Sequence, residues 1–531
     1  MANPDRASDS KLFNNTRFPL ARLGLLLLCT AWLLPGLIGH APWKGGDSEH
    51  FVQLWLLKNG AAAPSAAVTS PLYYWVASAT AWLTSSVLRL ADGARLASGL
   101  FIALALFFVA RTARALYGAE TAWAAALTLL GCMGLLVRGH EINAATAQLA
   151  AAAVMLYGIA TLPQGPRSGW ALGGGAILML FAGGVAEAVL FLLLAIVLSA
   201  LLDTFRTPSA RRALTLGVGL ALAAGAAWLA YLASQAIPLR QALNLPRWQG
   251  EAGLRPAFYL GLLGWYAWPA WPLAAWALYR GRHQWRTPEI ALPMGALLGL
   301  LALYVFDADP GEEKGLLLLL PLVLLGASGL FTLRRGAAYA LLWFGIMLFG
   351  FLGLVLWVYW SAHDLGSPSR LAVRLTRLGL TDVGVFRPWA LTLGVFATLA
   401  WMVFLARIRR SPLRPILVWT AGMTFSWGLL MALFQAPLDH RLSYAGIGSV
   451  LAARVPAADC IQADQVRRQQ RVLLAYHSGR QLALENAACG WLLLETRRRG
   501  AQPAVPPGWV EQWNGARPGD RSDRLYLYAR P

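Results

Sequence analysis

Charge is what this sequence has least of. Only 13% of its 531 residues are Asp, Glu, Lys or Arg, while 57% are hydrophobic and the mean hydropathy is +0.52. A chain that apolar is not a soluble multidomain protein. Acid is scarcer than base, 25 residues against 45, which leaves a net charge of +20. The basic residues lie in short clusters between apolar runs, so they report membrane topology, and no nucleic-acid partner is expected. Cysteine is down to four. No second histidine follows His140 and Glu141 at ligand spacing, so neither a metal nor another cofactor is expected. The N-terminus carries Arg6, Lys11 and Arg17 but no small-residue cleavage site, and 1–19 reads as a cytoplasmic tail before an uncleaved span.

What the sequence has instead is apolar runs. They recur at roughly 17 to 25 residues, enough for a helix to cross a hydrocarbon core about 30 Å thick. That length excludes a barrel, whose strands alternate in polarity over about ten residues. The expected fold class is a polytopic α-helical protein of the bacterial inner membrane, bathed in its lipids. Arginine clusters around Arg111, Arg206, Arg280, Arg334 and Arg407 mark cytoplasmic turns. Parity between them gives about thirteen spans, from 20–37 to 416–433, with the N-terminus cytoplasmic and the C-terminus periplasmic. Only one crossing fits between Asp47 and Arg111, so 71–90, rich in Tyr, Trp, Ser and Thr, reads as an interfacial helix and 96–110 as the crossing.

The membrane domain so defined covers 20–436, with a first external loop over 40–92 that includes an amphipathic helix. From 437 to 531 the composition is that of a small periplasmic α/β module. Residues 472–476, 491–494 and 525–528 read as short strands and 444–454 as a helix. Cys29 and Cys132 fall within spans, where they read as inert core residues. Cys460 and Cys489 fall in the module, where a disulfide persists; two buried free thiols are the alternative.

Polar residues collect at the outer ends of the spans. Lys44 to Glu49 follow the first span, Arg138-Gly139-His140-Glu141 end the third, and Asp307 to Lys314 open the tenth; Arg240, Arg247, Arg370, Arg374 and Arg377 lie in larger external loops. Acids at the edge of a membrane are costly unless they do something. Carboxylates and cations on one face suit transfer of a group from a lipid phosphate: the carboxylate takes a proton from an acceptor hydroxyl and Arg or Lys stabilises the departing phosphate. Bland readings stand beside these. Asp47 suits a helix N-cap, Glu49 suits a first turn, Lys314 can snorkel, His140 suits a satisfied interfacial histidine, and Glu312 and Glu313 read as solvated.

An acid after the first span, an amphipathic helix, then the run Pro71-Leu72-Tyr73-Tyr74-Trp75 resembles the start of the GT-C fold polyprenyl-phosphate-sugar glycosyltransferases, such as the lipid A aminoarabinose transferases and protein O-mannosyltransferases. The second acidic loop at Glu141 and the Lys314-Gly315-Leu316 stretch extend the resemblance. It implies a GT-C fold and inverting transfer of a monosaccharide from an undecaprenyl-type phosphate to a periplasmic acceptor such as lipid A, another glycan or protein. It implies Asp47 as catalytic base and Glu141 as second acid. Glu49, Arg138, His140 and Lys314 are the remaining candidates for substrate binding. The chain departs from the pattern where Ser48 separates Asp47 from Glu49 and where Thr69 and Ser70 replace a lysine before Pro71. The rivals are a flippase, which needs charged or broken helices near the midplane, and a non-catalytic homologue.

Overall fold

The computed structural model describes residues 18–59, 65–235, 237, 256–307, 311–380, 385–463, 465–483, 489–496, 503–518, 520 and 523–530. Most of the loop with Arg240 and Arg247 lies outside the described residues, those two arginines included. Among the described residues six helices are long and apolar enough to cross a membrane, from Leu90–Tyr117 to Arg414–Leu442, and a bent pair adds a seventh. Shorter apolar helices, Ala145–Ala160, Val185–Leu201 and Leu316–Phe331 among them, stand between these in the expected order. The first helix, Phe18–Leu33, stops short of the expected 37 because Pro35 and the positive φ of Gly36 cannot continue it. Phe351, Leu354 and Phe396 on Arg335–Asp364 and Pro388–Arg407 point outward, as helices facing hydrocarbon do.

The interior is built from small residues and leucine. Helix Ala145–Ala160 is almost wholly buried, and its Gly158 lies so close to the next helix that an added Cβ would stand 2.5 Å from Leu172 N. Helices this close gain dispersion contacts that branched side chains would prevent. Leu316–Phe331 runs through the middle of the bundle with nearly every side chain buried.

Two irregularities aim polar groups at one end of the bundle. Helices Thr121–Leu130 and Met133–Gly139 meet at 63° around Gly131 and Cys132. At the bend Trp419 Nε1 donates to Gly131 O at 2.9 Å, and the Thr420 hydroxyl donates at 2.7 Å to Leu127 O, which also accepts from the Gly131 N–H. The bend turns Arg138 and the following loop toward helix Gly46–Lys58. A π turn at Leu262–Tyr266 interrupts the expected 258–279 span before Ala270–Arg280 and brings the Tyr266 hydroxyl to Glu312 O at 2.8 Å.

Helix Arg414–Leu442 carries on past 437, so the module proper starts at helix Ala445–Arg454. Its strands are β1 (Cys460–Gln462), β2 (Gln481–Ala483), β3 (Trp491–Thr496), β4 (Val510–Gly515) and β5 (Arg524–Ala529), in the order β2-β1-β3-β5-β4. β1 pairs in parallel with β2 and β3, while β5 pairs antiparallel with β3 and β4. Residues 472–476 are not a strand. They lie in helix Arg468–Ser478, whose buried Gln470, Leu473, Leu474 and Ser478 follow helical spacing and form the crossover that parallel β1 and β2 require. Cys460 and Cys489 are bridged, with their Cα atoms 5.2 Å apart.

Candidate active site

The loop that follows the first helix is held by one ion cluster. Arg95, in the second turn of Leu90–Tyr117, is fully buried, and all five of its N–H donors are used. Nε and Nη2 donate to the two oxygens of Asp47 at 3.2 and 3.1 Å, Nη1 donates to Asp92 and His40 O at 3.0 Å, and Nη2 also donates to Ala41 O at 2.9 Å. Asp47 accepts two more bonds, from the backbone N–H of Trp43 and of Ile142, both at 2.8 Å. Burial works against its charge, yet the Arg95 guanidinium and these donors hold its carboxyl below the ordinary carboxylate range. It is 1% exposed. Nor is it a cap: the residue before helix Gly46–Lys58 is Gly45, with no side-chain cap bond.

The bond to Ile142 is one of three that fix the second acidic loop. Ser98 Oγ donates to Glu141 O at 2.7 Å, Asp47 takes the Ile142 N–H, and the Tyr73 hydroxyl accepts from Asn143 N at 3.0 Å. Three successive residues are thus held by three different helices. The result is a rigid platform for the Glu141 side chain.

That side chain is placed quite differently from Asp47. It is 23% exposed, and among the described residues its side chain has one hydrogen-bond partner, Arg138 Nη1 at 3.1 Å. Burial pushes its pKa up to about 7; Arg138 opposes the rise, and the negative charges of Asp47 and Glu313 add to it. Arg138 reaches Glu312 with its other arm at 2.5 Å. Glu313 lies 3.5 Å from His50 Nε2, whose other ring nitrogen is 2.9 Å from the Tyr74 hydroxyl. Although burial resists its ionisation, the His50 bond draws the Glu313 carboxyl below its ordinary range. Gly46 forms the floor: a Cβ there would collide with Glu313 Oε1 and come within 3.5 Å of Glu141 Oε2. Glu141 and Glu312 on Arg138, and Glu313 on His50 with Tyr74 behind it, therefore form one polar cluster at one end of the bundle, called the basin below. Among the described residues, no group of three or more His, Cys, Asp or Glu is arranged to hold a metal ion.

No protein-family model and no curated protein sequence matches this chain. Solved structures do match. ArnT from Cupriavidus metallidurans bound to undecaprenyl phosphate superposes with a TM-score of 0.63 at 16% identity, covering 96% of this chain and 98% of that one. The chain has the GT-C fold. The apo state of the same ArnT aligns at 0.61 over the same shares, and an oligosaccharyltransferase from Archaeoglobus fulgidus aligns at 0.44 with 10% identity.

Within this GT-C fold the expected site residues divide. Glu141 and Arg138 are joined directly, and Glu49 is exposed on the first turn of Gly46–Lys58, near Tyr74. His140 is turned away. Its ring is buried between Trp32 and Trp427, at 4.7 and 4.9 Å, with its nitrogens on the carbonyls of Leu136 and Trp32. Lys314 shares a turn with Glu312 and Glu313 but points the other way, to Asp307, beside a cavity of about 30 Å³ also lined by Glu187 and Tyr304. Glu312 and Glu313, read as solvated, are both paired. Arg95, Asp92, His50 and Tyr73 were missed; Asp92 and Arg95 in the first turns of an apolar helix were the available signal, since charge there needs a partner.

Proposed function

We propose that this chain is a glycosyltransferase that moves a monosaccharide from a polyprenyl phosphate, such as undecaprenyl phosphate, to an acceptor hydroxyl on the side of the membrane where the first loop lies. The acceptor is periplasmic in this reading: lipid A, another glycan or protein. The observation that carries the proposal is Glu141, a carboxyl poised near neutrality beside Arg138 in a basin at a membrane edge. It stands on a fold shared with an ArnT that binds undecaprenyl phosphate.

The roles expected of the two acids exchange. A base must reach its proton and bind it near working pH. Asp47 has four donors and a depressed pKa, whereas Glu141 has one partner and a raised one. Glu141 takes the acceptor proton as the acceptor oxygen attacks the anomeric carbon from the face opposite the phosphate. The carbon–oxygen bond to phosphate breaks, its electron pair leaves with the polyprenyl phosphate, and the configuration inverts. Arg138, already between Glu141 and Glu312, is the cation for that phosphate. Asp47 positions the Glu141 platform.

Charged groups at helix ends favour an enzyme over a flippase. Asp92 and Glu187 are in first turns and Arg138 is in a last turn. The test is transfer of radiolabelled sugar from undecaprenyl phosphate by the purified chain. Transfer by wild type and its loss in Glu141→Gln support the proposal; equal transfer by both removes Glu141 as base, and no transfer by wild type with any polyprenyl-phosphate sugar removes the enzyme.

A further inference from the structure

At the far end of the bundle from the basin, an apolar cavity of about 440 Å³ opens between helices Ala270–Arg280 and Arg335–Asp364. Helix Leu316–Phe331 measures the separation: it starts just after the Glu312–Lys314 turn and ends beside Arg334, roughly 24 Å away at 1.5 Å per residue. The walls are Trp268, Pro272, Trp276, Leu333, Ala340 and Phe344. Phe344 is 48% exposed, so the cavity faces the lipid side of the bundle and not a watery interior.

Its mouth is basic. The Arg334 guanidinium stands 5.6 Å from the ring of Trp276, a wall residue, and Arg335 is exposed next to it. Arg280 ends the neighbouring helix, and Arg282 stacks over Tyr279 at 4.9 Å. Trp268 lies in the turn just before helix Ala270–Arg280, and from Ala270 to Trp276 that helix rises about 9 Å, so the groove runs about that depth between the two tryptophans. An occupant must therefore be apolar for that depth and anionic at its outer end.

We infer that this groove binds one anionic phospholipid of the leaflet at the arginine end, with an acyl chain along Trp276 and Trp268 and its phosphate on Arg334 and Arg335. The cavity is of the size that holds small apolar ligands, and basic pockets between helices suit acidic headgroups. The polyprenyl carrier is a different occupant, since its phosphate belongs at the basin on the other side. The site stands whether or not the chain transfers sugar.

The test uses the purified full chain and native mass spectrometry, with phosphatidylglycerol and zwitterionic phosphatidylcholine as probes. Phosphatidylglycerol is retained at one per chain in preference to phosphatidylcholine. Arg334→Gln with Arg335→Gln weakens retention about thirty-fold, two cations at about 1 kcal/mol each. Ala340→Trp, which fills the groove from an exposed position, abolishes it. Size-exclusion elution checks folding, and if Ala340→Trp does not fold the arginine variant decides. Equal retention of both lipids, unchanged retention in the arginine variant, or photo-reactive undecaprenyl phosphate labelling this groove in place of phosphatidylglycerol overturns the inference.

Discussion

Removing Arg95 should do more harm to this fold than removing either of its acids. Arg95→Met deletes five hydrogen bonds and the cation between two buried carboxylates. Asp47 would keep only the N–H groups of Trp43 and Ile142, and Asp92 the N–H of Gly39. A buried charge left without its partner costs about 3–5 kcal/mol. Asp47→Asn is milder because Arg95 still faces Asp92 and two carbonyls; one mispaired buried donor costs about 1–3 kcal/mol. In the double variant Asp47 is no longer an unpaired charge, so it should be more stable than the summed singles by about 1–3 kcal/mol. Equilibrium unfolding by SDS titration in mixed micelles measures all three. An Arg95→Met chain within about 1 kcal/mol of wild type, or singles that simply add, would refute the reasoning, since either means the cluster does not hold the loop.

Other consequences can be read separately. Because Glu141 is raised to about 7 when folded, the native state holds a proton that the unfolded chain releases near its ordinary value of 4.5. Stability from this group is therefore full at low pH and declines as pH rises from about 4.5 to 7, by roughly 3 kcal/mol, so Glu141→Gln should be the more stable protein at pH 8 by SDS titration. Gly46→Ala should move Glu313 and cut the transfer rate by up to about a hundredfold, with a stability change under about 1 kcal/mol because helix propensity favours alanine; initial rates and unfolding on one preparation separate the two. Tyr476→Leu, which removes the edge contact with Phe51 at 4.7 Å, should cost about 1 kcal/mol and speed tryptic cleavage at Arg467 and Arg468.

The bundle was legible because span length and arginine placement answer to bilayer thickness and charge, which a sequence displays directly. The apolar stretches became helices in their expected order, and the Cys460–Cys489 bridge formed. What stayed hidden depends on distance along the chain. Asp47 meets Arg95 across 48 residues, and Glu313 meets His50 across 263. Asp47 and Glu141 look alike as loop acids, and their difference is burial, which only packing reveals. The strand expected at 472–476 failed because a five-residue apolar run fits either period; the polar Gln470 and Ser478 that complete the helical face were the deciding neighbours.

The most direct measurement is the pH dependence of sugar transfer in wild type and Asp47→Asn. With Glu141 as base, wild-type kcat/KM rises with pH through an apparent pKa near 7. Loss of the Asp47 charge, which helps raise Glu141, shifts that limb to lower pH in the variant while residual transfer persists. An acid limb that disappears altogether in Asp47→Asn, with Glu141→Gln still titrating as wild type does, would make Asp47 the base and contradict the account.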